Sequence, residues 1–144
     1  MNLLLDTDGW LWSIREPGRI SPRAQAALMN GEFELWLSPI SVWEAMMLAE
    51  RGKIHLDEEP RRWIERELSR FPIREAQLTR EVAMLSRSIP LGRPDPADRF
   101  IVASAVVYDL TLVTADRRLL RQSSCPTLAA ARARALVPLG FSRI

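Results

Sequence analysis

Histidine, cysteine and lysine each occur once in this chain, as His55, Cys125 and Lys53. A lone cysteine cannot form an internal disulfide, so a reducing compartment such as the cytoplasm fits. Cys125 also lacks a companion metal ligand or base, and His55 lies in no partner pattern and reads as a loop residue. Long apolar runs are missing as well. Each is cut by charges or proline, so none can span a bilayer. The N-terminus has no basic stretch ahead of its apolar residues, and Asp6 interrupts them at once, which is not the pattern of a signal peptide. There is no glycine-rich phosphate cradle, and no repeat, low-complexity tract or domain linker. What remains is a chain of 144 residues, 47% hydrophobic and 26% charged. That is enough for one globular domain with a real core.

The formal net charge is only +2. Every basic residue except Lys53 is arginine, whose guanidinium pairs bidentately with carboxylate or phosphate. Stretches such as Glu65-Arg66-Glu67 read as solvated helix faces with acidic partners. Net charge of this size does not establish nucleic-acid binding.

Short apolar segments alternate with helical patterns. Asn2 to Leu5 reads as a buried strand before an Asp6-Thr7-Asp8 turn. Trp10 to Ile14 reads as a helical turn. Ser21-Pro22 supplies an N-cap and a first-turn proline for a helix that Gly31 stops. Glu34 to Ser38 is a second strand. A helix then starts at Ser38-Pro39 or at Ser41 and ends at Gly52. Pro60 to Arg70 is amphipathic, with Trp63, Ile64 and Leu68 on one face. Phe71 to Ile73 is extended and Thr79 to Ser86 helical. Pro96 to Tyr108 is apolar on nearly every side, which predicts a central buried helix. Thr111 to Thr114 is a strand and Asp116 to Arg121 a helix. Leu128 to Leu136 is rich in Ala and Arg and fits a helix. The alternation implies a parallel sheet with helices on both faces.

Four acidic residues recur where a strand or loop hands over to a helix: Asp6, Glu44, Asp98 and Asp116. Each has an ordinary explanation. Asp6 can make an Asx turn. Ser41 and Glu44 fit a capping box. Asp95 can cap the helix that opens at Pro96, with Asp98 favourable in its first turn. Asp116 can cap the last helix. Their conjunction points further. Capping does not require an acid over Ser, Thr or Asn at so many helix starts. Open α/β sheets bind ligands at the carboxyl ends of their strands. Acids gathered there would offer hard oxygen donors to Mg²⁺ or Mn²⁺, and a cation would relieve their mutual repulsion.

The ordered segments Leu3-Leu4-Leu5-Asp6-Thr7 with Leu11-Trp12, Ser38-Pro39-Ile40-Ser41-Val42-Trp43-Glu44, Gly52-Lys53-Ile54, Asp95-Pro96-Ala97-Asp98-Arg99-Phe100-Ile101 and Leu112-Val113-Thr114-Ala115-Asp116 resemble PIN-domain nucleases. The resemblance is to the VapC-type toxins of toxin–antitoxin pairs. It implies a three-layer α/β/α fold around a central, mainly parallel sheet, with a PIN-like domain over residues 1–128 and a tail over 129–144 that has no family counterpart. It also implies a Mg²⁺- or Mn²⁺-dependent endoribonuclease with Asp6, Glu44, Asp98 and Asp116 as its acidic quartet. On this reading Asp6, Asp98 and Asp116 lie near the metal, and Glu44 orients water or acts from behind them. Thr114 is the accompanying hydroxyl, and Arg99 holds phosphate or a neighbouring acid. An RNA substrate, a VapB-like antitoxin whose C-terminal segment covers the site, and a homodimer follow from the same resemblance. The chain departs from many relatives at Asp8 and Arg93, where they carry His, and at Ala97, where Phe is common.

Two rival readings stand beside it. Asp6-Thr7-Asp8 after a strand also resembles the haloacid-dehalogenase-like phosphatases, with Ser38 and Lys53 as phosphate binders and Asp95 and Asp98 as metal acids. That family's later acids follow a strand, however, and here they open a helix. The other rival is a non-catalytic RNA- or protein-binding module on the same fold. Trp10, Trp12, Trp43 and Met47, close to the quartet in sequence, suggest an apolar groove for a small partner, with at least two of the four serving the core.

Overall fold

A computed structural model describes residues 1–92 and 95–132. Five strands form one all-parallel sheet: β1 (Leu3–Leu5), β2 (Leu35–Leu37), β3 (Ile73–Glu75), β4 (Thr111–Thr114) and β5 (Thr127–Ala129). Their order is β3-β2-β1-β4-β5. The chain builds outward from β1 through β2 to β3, then crosses back to lay β4 on the other side of β1. The order therefore reverses between β1 and β4, and the crevice at their carboxyl ends is the switch point where open α/β sheets hold ligands.

Alternation along the strands divides the core. Leu3 and Leu5 face one side with Val113, while Leu4 faces the other with Leu112. The first side is covered by α1 (Thr7–Arg15), α2 (Pro22–Leu28), α3 (Pro39–Glu50) and α4 (Pro60–Arg70), through Trp10, Leu11, Ala24, Ala45, Leu48, Trp63 and Ile64. The second is covered by α5 (Arg80–Ser88), α6 (Pro96–Val107) and α7 (Arg117–Arg121), through Val82, Ile101, Val102, Ala105 and Leu119. Because both faces are covered, β1 and β4 are buried at every position, the pattern expected of central parallel strands.

Local chemistry explains most boundaries. Ser21 accepts from the Ala24 amide at 3.0 Å, and Pro22 occupies the first helical position of α2. Gly52 ends α3 with a φ of +69°, its amide bonding Ala49 while the Lys53 amide bonds Leu48, a Schellman closure. Two expectations change. The first helix begins at Thr7 and not at Trp10, because Asp6 itself is the N-cap and its side chain accepts from the Gly9 amide. The segment expected to be helical from Leu128 contains β5 instead, paired with β4. Ala130 and Ala131 are still bonded to Thr114, Ser21 and Ile20, so the sheet continues past residue 128. The rest of the tail, from 133, lies outside the described residues. Among the described residues no helix is long and apolar enough to cross a membrane.

Candidate active site

All four expected acids are withdrawn from solvent: Asp6 and Glu44 are 0% exposed, Asp98 2% and Asp116 7%. Burying an ionised carboxylate is costly unless it is paired or hydrogen-bonded. The surroundings of each show how the fold meets that cost.

Asp6 directly follows β1, at the N-terminus of α1. Its Oδ1 accepts from the Gly9 amide at 2.7 Å, and its Oδ2 accepts from the Thr114 hydroxyl at 2.5 Å. Thr114, the last residue of β4, in turn accepts from the Asp116 amide at 3.1 Å. The donor order is thus fixed: Asp116 N–H to Thr114 Oγ1, Thr114 O–H to Asp6. One hydroxyl ties the carboxyl ends of the two central strands together across the switch point. Gly9 belongs to this corner. A Cβ there would stand 3.0 Å from Asp6 Oδ1 and 3.4 Å from the Val113 carbonyl oxygen.

Asp116 caps α7 through a 2.8 Å bond from the Arg118 amide, and the Arg118 guanidinium lies 3.8 Å from its Oδ1. Glu44 has a different environment from the one its sequence context suggests. The cap of α3 is Ser38, whose hydroxyl accepts from the Ile40 amide at 3.1 Å. Ser41 lies inside the helix, so no capping box forms. Glu44 Oε1 accepts a short hydrogen bond from the Thr7 hydroxyl, which also lies 3.0 Å from Ser41 Oγ. Thr7 has one hydroxyl proton to give, so the carboxylate takes it and Ser41 donates to the Thr7 oxygen. Glu44 is therefore anchored to the residue next to Asp6. Asp98 is not the cap of α6 either. Asp95 fills that role, accepting from the Ala97 amide at 3.0 Å. Asp98 instead faces a cavity of about 310 Å³ that Arg118 also lines.

The quartet is thus strung along one edge of the sheet. Asp6 and Asp116 double as helix caps, while Glu44 and Asp98 do not. Sequence reasoning gave Thr7 no role; its signal was its place beside Asp6, but its partner on α3 is set by tertiary packing. Arg99 departs from expectation. Its guanidinium donates to the main-chain carbonyls of Ser86 (3.0 Å), Ile89 (2.9 Å) and Leu91 (3.2 Å). These are the end of α5 and the loop after it, so Arg99 closes a helix C-terminus and holds neither phosphate nor acid. Trp10 and Trp12 are core residues; Trp43 is 54% exposed and Met47 half-buried. The residues of the phosphatase reading are dispersed: Ser38 caps α3 at its start, and Lys53 is exposed beyond its far end. His55 is an exposed loop residue, as expected, and its carbonyl accepts from Arg15. Burial pushes the Cys125 thiol above its ordinary pKa, with the Gln122 hydrogen bond opposing, so the thiolate is disfavoured. Arg93 lies outside the described residues.

The donor set suits a hard divalent cation, since every candidate ligand is a carboxylate oxygen. Among the described residues, no three His, Cys, Asp or Glu side chains are gathered into a ready-made metal cage. That argues against a closed structural site. It is compatible with Mg²⁺, which keeps several waters and takes only one or two carboxylates plus substrate phosphate.

Comparison with known proteins agrees with the fold. Residues 3–123 match the PIN domain family. Ribonuclease VapC22 of Mycobacterium tuberculosis is 36% identical over 118 residues, covering 81% of this chain and 88% of that protein. The crystal structure of VapBC2 from Rickettsia felis bound to a promoter DNA fragment aligns with a TM-score of 0.66 at 17% identity, covering 89% of this chain and 98% of that one. FitAcB from Neisseria gonorrhoeae aligns with a TM-score of 0.58 at 22% identity, covering 88% and 96%. Both likenesses concern the fold. With a family match that runs from β1 through α7, and a relative at 36% identity, the chain belongs to the PIN domain family.

Proposed function

We propose that this protein is a divalent-metal-dependent endoribonuclease and the toxin half of a toxin–antitoxin pair. The reading is supported by its 36% identity to a protein named as a ribonuclease. It is also supported by structural neighbours described as VapBC, FitAB and toxin–antitoxin complexes. The observation that carries it is the placement of four buried carboxylates at the switch point, two of them tied through Thr114.

Asp6, Asp98 and Asp116 would hold Mg²⁺ or Mn²⁺. When bound, the ion supplies Lewis acidity to the scissile phosphodiester and to the attacking water. The chain's own contribution is placement. Thr114 and Gly9 fix both oxygens of Asp6. Thr7 fixes Glu44, which orients the water from behind. Arg118 sets a positive charge beside Asp116, offsetting part of the repulsion between the acids and an approaching phosphate. A small VapB-like antitoxin would restrain this activity by covering the site.

The experiment is cleavage of single-stranded RNA by the purified protein in Mg²⁺, in Mn²⁺ and in EDTA. Cleavage should require the cation and return when it is restored. Full activity in EDTA would remove the metal from the account. Hydrolysis of a phosphomonoester with no RNA cleavage would favour the phosphatase reading.

A further inference from the structure

The acidic edge presents a difficulty for its own substrate: RNA brings a phosphate for every nucleotide toward buried carboxylates. The cavity beside Asp98 offers a resolution. It lies between the loop after α5, the first turn of α6 and the helix α7, with a volume of about 310 Å³. That is at the small end of the range for ligand sites, roughly 300–1,000 Å³, the scale of one nucleoside. Its lining has two characters. Pro90, Leu91 and Leu119 are apolar; Arg118 and Arg121 are cationic.

The two arginines stand three residues apart, so they share a face of α7. They differ in what holds them. Arg118 is partly buried and lies 3.8 Å from Asp116, which ties the cavity to the candidate metal site. Arg121 is exposed and forms no ion pair or hydrogen bond with the described residues. The Gln122 amide does not read a base: its nitrogen donates to the Cys125 carbonyl at 3.1 Å, and its oxygen accepts from the Ser124 and Cys125 amides.

We infer that this cavity receives the nucleoside next to the scissile phosphate, with its base against Pro90, Leu91 and Leu119 and Arg121 holding the phosphodiester on its outer side. The inference rests on the nuclease reading and adds a subsite to it. Single-stranded RNA is the form that fits, because an unstacked base can be splayed into a pocket while cationic side chains track the backbone. With its side groups occupied, the pocket selects by shape and not by reading base edges, so cleavage should require an unpaired nucleotide at that position.

The test is steady-state cleavage of a labelled single-stranded oligoribonucleotide in Mg²⁺, across about 50–200 mM KCl. Arg121→Gln should raise KM about tenfold with kcat within about twofold, and the salt dependence of log kcat/KM should flatten by about 0.7, the contribution of one phosphate contact on a single strand. Arg121→Lys should restore most of the salt dependence. Arg51→Gln, which removes an equal charge at the end of α3, should leave KM and the slope unchanged. The inference is overturned if Arg121→Gln behaves as wild type, if Arg51→Gln has the same effect, or if the change falls on kcat and thermal stability instead of KM. If wild type does not cleave the oligonucleotide at all, the nuclease reading falls and the subsite with it. If wild type cleaves and Arg121→Gln is indistinguishable from it, the subsite alone falls.

Discussion

Asp6→Asn should reduce RNA cleavage about a thousandfold while leaving a folded protein. The size follows from what is removed. A metal ligand contributes several kcal/mol of charge stabilisation in phosphoryl chemistry, and each ~1.4 kcal/mol is a factor of ten in rate. The fold should survive because Asn is as good an N-cap as Asp and keeps the volume of a side chain that is 0% exposed. One of the two acceptor bonds, to Gly9 or to Thr114, is weakened, a cost of about 1 kcal/mol. Initial cleavage rates, with circular dichroism for folding, check both halves. Near-wild-type turnover by a folded Asp6→Asn protein would remove Asp6 from the chemistry and leave it a helix cap.

Thr114→Val should do something different. Valine matches threonine in shape but lacks the hydroxyl that receives the Asp116 amide and donates to Asp6. Thr114 is fully buried, so water cannot replace the lost bonds. Leaving a buried donor and acceptor unsatisfied costs about 1–3 kcal/mol, and the relative placement of Asp6 and Asp116 loosens with it. We expect chemical denaturation to show that loss, and turnover to fall about 10–100-fold, in line with a misplaced catalytic group. Thr114→Ser keeps the hydroxyl and should recover most of the rate. If valine and serine both match wild type in rate, the bridge between β1 and β4 has no part in placing the acids.

These residues also show how far the sequence reading reached. The strand-then-acid pattern at Leu5-Asp6 and Thr114-Ala115-Asp116 was legible because central parallel strands are unbroken apolar runs. The ends of α2 and α3 were signalled by Ser21-Pro22 and Gly52, where backbone chemistry is local. The start of α1 was not, because Thr7-Asp8-Gly9 has the composition of a turn and its cap is the acid singled out for catalysis. β5 was hidden by an Ala- and Arg-rich stretch whose strand conformation comes from pairing with β4; tertiary context overrides propensity there. Glu44 looked like half of a capping box with Ser41, yet its hydrogen-bond partner is Thr7, 37 residues away. Arg99 looked available for phosphate because nothing in the sequence reveals the three carbonyls that converge on it.

The central claim is that the acids act together as one metal-dependent centre. Thermal unfolding of wild type, Asp6→Asn and Asp98→Asn, each in EDTA and in saturating Mg²⁺ or Mn²⁺, tests it without relying on a substrate. A cation at a hundred times its Kd stabilises the native state by about 2.7 kcal/mol, a rise of several degrees in Tm for a domain of this size. Wild type should show that rise, and both variants should lose most of it. No rise in wild type, or an equal rise in all three proteins, would contradict the account.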